Sequence, residues 1–266
     1  MHFISPSDND WHRWHGNWGS NTWRIPIITA ETREAARPGY SEVRANEYED
    51  HDEVLHSKVA QVADMIKIST NCVAYTGAGI STSAGIRDYA SIALNSSFST
   101  GSSPMTARPT LSHRVLANMC KASLLKYWIQ QNHDGLPQKA GVPQWKVNEI
   151  HGSLYDPANP VVPMEASLRH DLLESVQEWA HKTDLCLAMG TSLSGMNADQ
   201  IVTTISSKLR KQSWGREEGL QGVVIISVQC TPLDDLSTIR VFCDLDKFSH
   251  LLSQALQLDA ILPSIE

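Results

Sequence analysis

The chain has 266 residues, 41% of them hydrophobic, and carries a net charge of −7. That length holds one full domain plus an extension, and the acidic balance argues against non-specific nucleic-acid binding, a small basic patch at Lys208, Arg210 and Lys211 aside. No stretch reaches the roughly 18 apolar residues of a membrane span. Residues 1–8 show neither a basic start nor an apolar run, so no secretory signal is expected and the cytosol or nucleus is the expected location. The five cysteines (Cys72, Cys120, Cys186, Cys230, Cys243) form no Cys-x-x-Cys pair, which suits buried thiols in a reducing compartment and argues against a four-cysteine zinc site.

Residues 1–45 form an aromatic-rich extension. Trp11, Trp14, Trp18 and Trp23 alternate there with His12 and His15. The plain expectation is an arm whose rings lie on the domain surface; a partner-binding or metal-binding tail is the alternative. Residues 40–52 are acidic and read as a solvated linker or a first helical turn. Residues 53–68 carry apolar side chains at helical spacing. Residues 72–75 read as a buried strand, followed by Thr76-Gly77-Ala78-Gly79 and a helix from Ile80 with Ser81 as its cap. A strand that ends in glycines and opens into a helix is a phosphate-binding layout, because glycine admits close backbone approach and a helix start offers free N–H groups. The Ser/Gly-rich residues 90–104 read as a lid or an inert surface loop. Thr110 caps a further helix. Residues 126–129 read as a strand that feeds the polar run Gln131-Asn132-His133-Asp134-Gly135-Leu136. Beyond it, helices are expected at 168–181, 197–209 and 246–258, and strands at 184–189, 222–228 and 239–243. Alternating strands and helices predict an α/β fold, a Rossmann-like doubly wound parallel sheet with helices on both faces.

Several ordered blocks resemble the sirtuins, the NAD-dependent protein deacylases. These are Gly77-Ala78-Gly79-Ile80-Ser81 with Gly85-Ile86-Arg87-Asp88-Tyr89, Gln131-Asn132-His133-Asp134-Gly135-Leu136, Ala140-Gly141, Glu149-Ile150-His151-Gly152, Gly190-Thr191-Ser192-Leu193 and the late strand ending in Val228-Gln229. Pro109-Thr110-x-x-His113 and that Val-Gln ending look closest to the nuclear branch. The resemblance implies a catalytic domain over 46–260 with a tail at 261–266. It implies NAD as cofactor and an acylated protein, a histone among the candidates, as substrate. His151 would be the general base on a ribose hydroxyl, a task suited to a group titrating near neutrality. Asn132 and Asp134 would act with it at the nicotinamide end. NAD would lie against Gly77, Ala78, Gly79, Ser81, Ile86, Arg87, Asp88, Tyr89, Gln131, Gly190, Thr191, Ser192, Ser227, Val228, Asp244 and Leu245. The acyl peptide would lie against Val161, Val162 and Met164.

The chain departs from the family pattern in three places. Ala90 stands where an arginine steadies the cofactor, with Arg87 as a substitute from the same loop. The four-cysteine zinc module is absent, and the Asp156-Pro157 and Asn159-Pro160 stretch reads as a tight turn in its place. Pro163, Met164 and Glu165 replace the Phe-Gly-Glu that helps seat the peptide, and Pro163 removes a main-chain donor. NAD hydrolysis, ADP-ribosyl transfer and a weakly active NAD-binding module therefore stand beside protein deacylation.

Overall fold

The computed structural model describes residues 11–33, 35–37, 40–86, 103–163, 166–195, 197–212 and 221–258. Its centre is a six-stranded parallel sheet in the order β10-β9-β8-β5-β6-β7. The strands are β5 (Cys72–Thr76), β6 (Tyr127–Gln130), β7 (Val147–Glu149), β8 (Leu185–Met189), β9 (Gly222–Ile226) and β10 (Ile239–Val241). Every residue of β5, β8 and β9 is buried. Continuous apolar runs of this kind are what a sheet covered on both faces requires.

Successive side chains enter opposite layers. Cys72 and Ala74 join one core with α2 (Asp52–Ile68), α3 (Leu111–Lys121) and α7 (Leu245–Ala255). Val73 and Tyr75 join the other core with α5 (His170–Lys182) and α6 (Gln200–Gln212). The doubly wound sheet expected from the sequence is the sheet observed, with element ends shifted by a few residues. Thr110 caps α3 as expected, its Oγ accepting from the His113 N–H. The short helix α4 (Leu136–Lys139) and the edge strand β7 were not anticipated.

One expectation fails in the first half of the chain. Residues 40–52 are not a solvated linker. Strand β1 (Ile27–Ala30) pairs with β4 (Glu47–Glu49), and β2 (Ala35–Arg37) pairs with β3 (Tyr40–Arg44). Asp50 lies buried against Lys58 of α2, with Nζ to carboxylate distances of 2.7 and 2.8 Å, because the buried ammonium needs a counter-charge. Only Asp52, as the first residue of α2, fits the helical-turn alternative.

The arm does place rings on the domain. Helix α1 (Trp11–His15) sets Trp14 against Tyr48 and Phe242. The chain then follows the outer side of β10, with Asn17 N–H to Ser237 O at 2.9 Å and Trp18 N–H to Thr238 O at 2.8 Å. Gly16 is required there, since a Cβ would stand 2.5 Å from Thr238 O. An otherwise open sheet edge is covered in this way.

Candidate functional site

Strand β5 runs between β6 on one side and β8 on the other, so the chain reverses its winding direction there. Ligands of open α/β sheets bind in the crevice past the carboxyl ends of the strands at such a point. Immediately after β5, residues Ala78–Ala84 form a 3-10 turn capped by Gly77, not the helix from Ile80 that the spacing suggested. Ser81 is correspondingly not a cap. Its side chain is 1% exposed and donates to Asp134 Oδ2 at 2.7 Å. Glycines and serines disfavour a regular α-helix, and an inward hydroxyl with a carboxylate partner wins over a cap bond.

Gly77 and Gly79 serve the protein's own backbone first. A Cβ on Gly77 would meet Gly190 O at 2.8 Å, and one on Gly79 would meet Gly190 Cα at 2.7 Å. Gly79 N–H donates to Gly190 O at 2.9 Å, so the loops after β5 and β8 close on each other through glycine. Gly190 itself has φ +60 and a Cβ there would reach Leu245 Cδ1 at 2.8 Å. Ala78 and Ile86 are half-buried on the same turn.

The loop after β6 brings in the polar groups. Asn132 Nδ2 donates to Gly77 O and to Ser81 Oγ, both at 3.0 Å. Asp134, 2% exposed, also accepts from Gln130 Nε2 at 3.0 Å and from Leu136 N–H at 3.0 Å. Gln131 Nε2 reaches Thr191 Oγ1 at 2.8 Å, which ties this loop to the β8 loop. His151 follows β7 and is half-buried; its Nδ1 lies 3.2 Å from Gln131 O. A carbonyl can only accept, so Nδ1 is the donor in this bond and carries a proton.

The region around β9 is more loosely joined to this cluster. Gly190 N–H donates to Ile226 O at 3.0 Å, which puts Ser227 and Val228 beside the β8 loop. Tyr48 N–H of β4 donates to Val228 O at 2.7 Å, so the arm side of the fold abuts this end. Asp244 is exposed and caps α7. Ser192 is exposed and bonds Ser194 Oγ at 2.8 Å. Val161 is exposed, and Val162 donates its N–H to His151 O at 2.9 Å. Arg87, Asp88, Tyr89, Ala90, most of the expected lid and Met164 lie outside the described residues.

Two buried groups had no role assigned from the sequence. Gln130 is fully buried one position before the Gln-Asn block and orients Asp134. His113 is fully buried and stacks on Trp128 with ring centroids 5.9 Å apart. Burial lowers its imidazole to about 4, against the pull of Asp134 and Asp246. The signal for Gln130 was an amide at the end of an apolar strand, where β6 points into the crevice.

The segment 152–160 folds back sharply. Gly152 has φ +90, and a Cβ there would stand 2.2 Å from Pro160 O. Asn159 N–H donates to Asp156 O at 2.9 Å, so the expected tight turn is present. Among the described residues, no group of three or more His, Cys, Asp or Glu side chains is placed to hold a metal. A set of neutral hydrogen-bonding groups, one buried carboxylate and one histidine, gathered at the point of winding reversal, fits a nicotinamide dinucleotide.

Comparison with known proteins points the same way. The Sir2 family model matches residues 92–162. The NAD-dependent protein deacetylase SRT1 of Oryza sativa subsp. indica is 27% identical over 242 residues, covering 74% of this chain and 48% of that protein. Human NAD-dependent protein deacetylase sirtuin-7 is 32% identical over 159 residues, 56% of this chain and 40% of that protein. The chain thus spans about half the length of the plant deacetylases it matches, 48% and 50% for the Oryza and Arabidopsis proteins. An NAD-dependent protein deacetylase of Sulfolobus acidocaldarius is 29% identical, with 70% of this chain and 90% of that protein covered. Among solved structures, Sir2Tm bound to a propionylated peptide superposes with a TM-score of 0.61 at 25% identity, over 76% of this chain and 100% of the other.

Proposed function

We propose that the chain is a member of the Sir2 family and an NAD-dependent protein-lysine deacylase working in the cytosol or nucleus. The acyl group would pass from a protein lysine, a histone tail among the candidates, to ADP-ribose with release of nicotinamide. We assign catalysis to residues 46–260, with 1–45 as an extension and 261–266 as a tail. The observation that carries the reading is the meeting of the loops after β5 and β6, where Ser81 holds both Asn132 and Asp134.

When bound, NAD supplies an anomeric carbon activated by a cationic leaving group. The chain's residues do the rest. Asp134, fixed by three donors, presents fixed negative charge beside Asn132 as positive charge develops on the ribose. Gln131 and Thr191, bonded to each other, hold the loops that would face the ribose and phosphates. His151, with its proton pinned on Nδ1 by Gln131 O, takes a ribose hydroxyl proton on Nε2. Val161 and Val162 would flank the acyl-lysine.

The test is His151→Ala. Deacylation should fall by about 10²–10⁴-fold, while NAD binding measured by calorimetry changes little. An unchanged rate would remove His151 from the mechanism. One observation favours a second acceptor. Val162 N–H is already used by His151 O, and Pro163 has none to offer a peptide strand. NAD hydrolysis or ADP-ribosyl transfer would show as nicotinamide release without any acyl peptide.

A further inference from the structure

The loops after β6 and β7 are laced together beyond the end of the strand ladder. Ile150 N–H donates to Gln130 O at 3.1 Å, His151 Nδ1 to Gln131 O at 3.2 Å, and Leu154 N–H to His133 O at 3.1 Å. The remaining link runs from His133 Nδ1 to Gly152 O at 2.9 Å. Two of these links are main chain to main chain, and one belongs to His151 itself. Only the fourth depends on which side chain stands at 133.

We infer that His133 is a positioning residue for His151, holding the His151–Gly152 turn through Gly152 O. The inference rests on the reading of His151 as the base. Gly152 O accepts, so His133 must present Nδ1–H, in the neutral or charged ring alike. The bond fixes the peptide plane next to His151, whose own link to Gln131 O is long. Other hydrogen bonds of the segment run from Ser153 N–H to Asn159 O at 2.8 Å, Gly152 N–H to Glu149 O at 2.9 Å, Asn159 Nδ2 to Glu149 O at 3.0 Å and Arg169 Nη1 to Ala158 O at 2.9 Å, and none of these four reaches the Asn132–Asp134 loop. The Tyr155 ring lies against Gly135, an apolar contact that sets no hydrogen-bond register. His133 is therefore the side chain that sets His151 in register with Asn132 and Asp134, the alignment that catalysis punishes when it slips by an ångström.

The test uses the full chain and three variants. His133→Asn places an amide N–H near the Nδ1 position, His133→Gln places it one bond further out, and His133→Ala removes it. In the NAD-free protein, amide hydrogen exchange over 150–155 should run about tenfold faster in the Ala and Gln variants and near the parent rate in the Asn variant. In turnover, Ala and Gln should lower deacylation kcat by about tenfold with little change in peptide KM. Nicotinamide exchange, which does not need the base, should stay within about twofold, and Asn should restore kcat. Unchanged kcat in the Ala and Gln variants would overturn the inference, as would an Asn variant that behaves like Ala. If the parent protein shows no deacylation, the functional reading fails, and the hydrogen-exchange arm still decides whether His133 holds the turn.

Discussion

Ser81 donates to Asp134 and accepts from Asn132, so one hydroxyl orients both side chains. Ser81→Ala should cost about 1–3 kcal/mol in urea unfolding, because a buried carboxylate loses a donor that water cannot easily replace. It should also lower turnover by an order of magnitude or more. A neutral result on both would show that Asp134 is held by Gln130 and Leu136 alone. Another side chain makes stability depend on pH. His15 is fully buried beside Trp23, and burial, then Lys58, lowers its imidazole to about 3. The unfolded ring binds its proton near 6.5, so between about pH 6.5 and 3 the unfolded state holds more protons and stability falls as pH falls. His15→Phe should flatten the urea-midpoint profile in that window relative to the parent, with little difference above pH 7. Parallel profiles would mean that His15 stays accessible to protons. Neither residue's partner was visible in the sequence. Ser81 read as a helix cap because local spacing says nothing of a carboxylate 53 positions away.

At the scale of elements, glycine positions separate backbone strain from crowding. Gly141 has φ +95, but a Cβ would find its nearest atoms, at the end of Lys121, 4.0 Å away. Gly152 has φ +90 and Pro160 O at 2.2 Å from the same atom. Gly141→Ala should therefore cost about 1–3 kcal/mol from strain alone. Gly152→Ala should cost more, since the Pro160 carbonyl must move, and should also disturb His151. Equal thermal shifts for the two would mean that segment 152–160 yields freely. The buried strands β5, β8 and β9 were legible because an apolar run flanked by polar residues has few other places to go. Strand β7 was not, since it is Val147-Asn148-Glu149, with Asn148 donating to Leu172 O and Glu149 to be found beside Gln144. Two buried polar residues in three hide the strand signal. Strands β3 and β4 were hidden by their charges, whereas β1 (Ile27-Ile28-Thr29-Ala30) carries none and is marked only by its pairing with β4.

At the scale of the whole molecule, the first half of the chain is tied to the sheet by buried charge. Lys58 Nζ donates to both Asp50 oxygens and to Trp14 O at 3.2 Å, while Phe242 N–H donates to Asp50 at 2.9 Å. Burial lowers the Lys58 ammonium to about 8 against the pull of Asp50, and burial raises the Asp50 carboxyl against the pull of Lys58. Lys58→Met would strand a buried carboxylate and should cost about 3–5 kcal/mol, with Asp50→Asn added to it recovering part of the loss. A single-variant loss under about 1 kcal/mol would mean that water reaches the site. This lock joins α1, β4, α2 and β10, and it lies beside Ser227 and Val228 rather than at His151. The motif blocks singled out Gly77, Ser81, Asn132 and Asp134, which the structure brings into contact, while the seating of the arm came from the structure.

The most direct measurement is nicotinamide release from NAD by the purified chain, in chelator, with and without a panel of acyl-lysine peptides. Release that requires a peptide, with the acyl group recovered on ADP-ribose, is the expected result. Equal release without peptide would move the acceptor to water or another nucleophile, and no release under any condition would contradict an NAD-dependent deacylase.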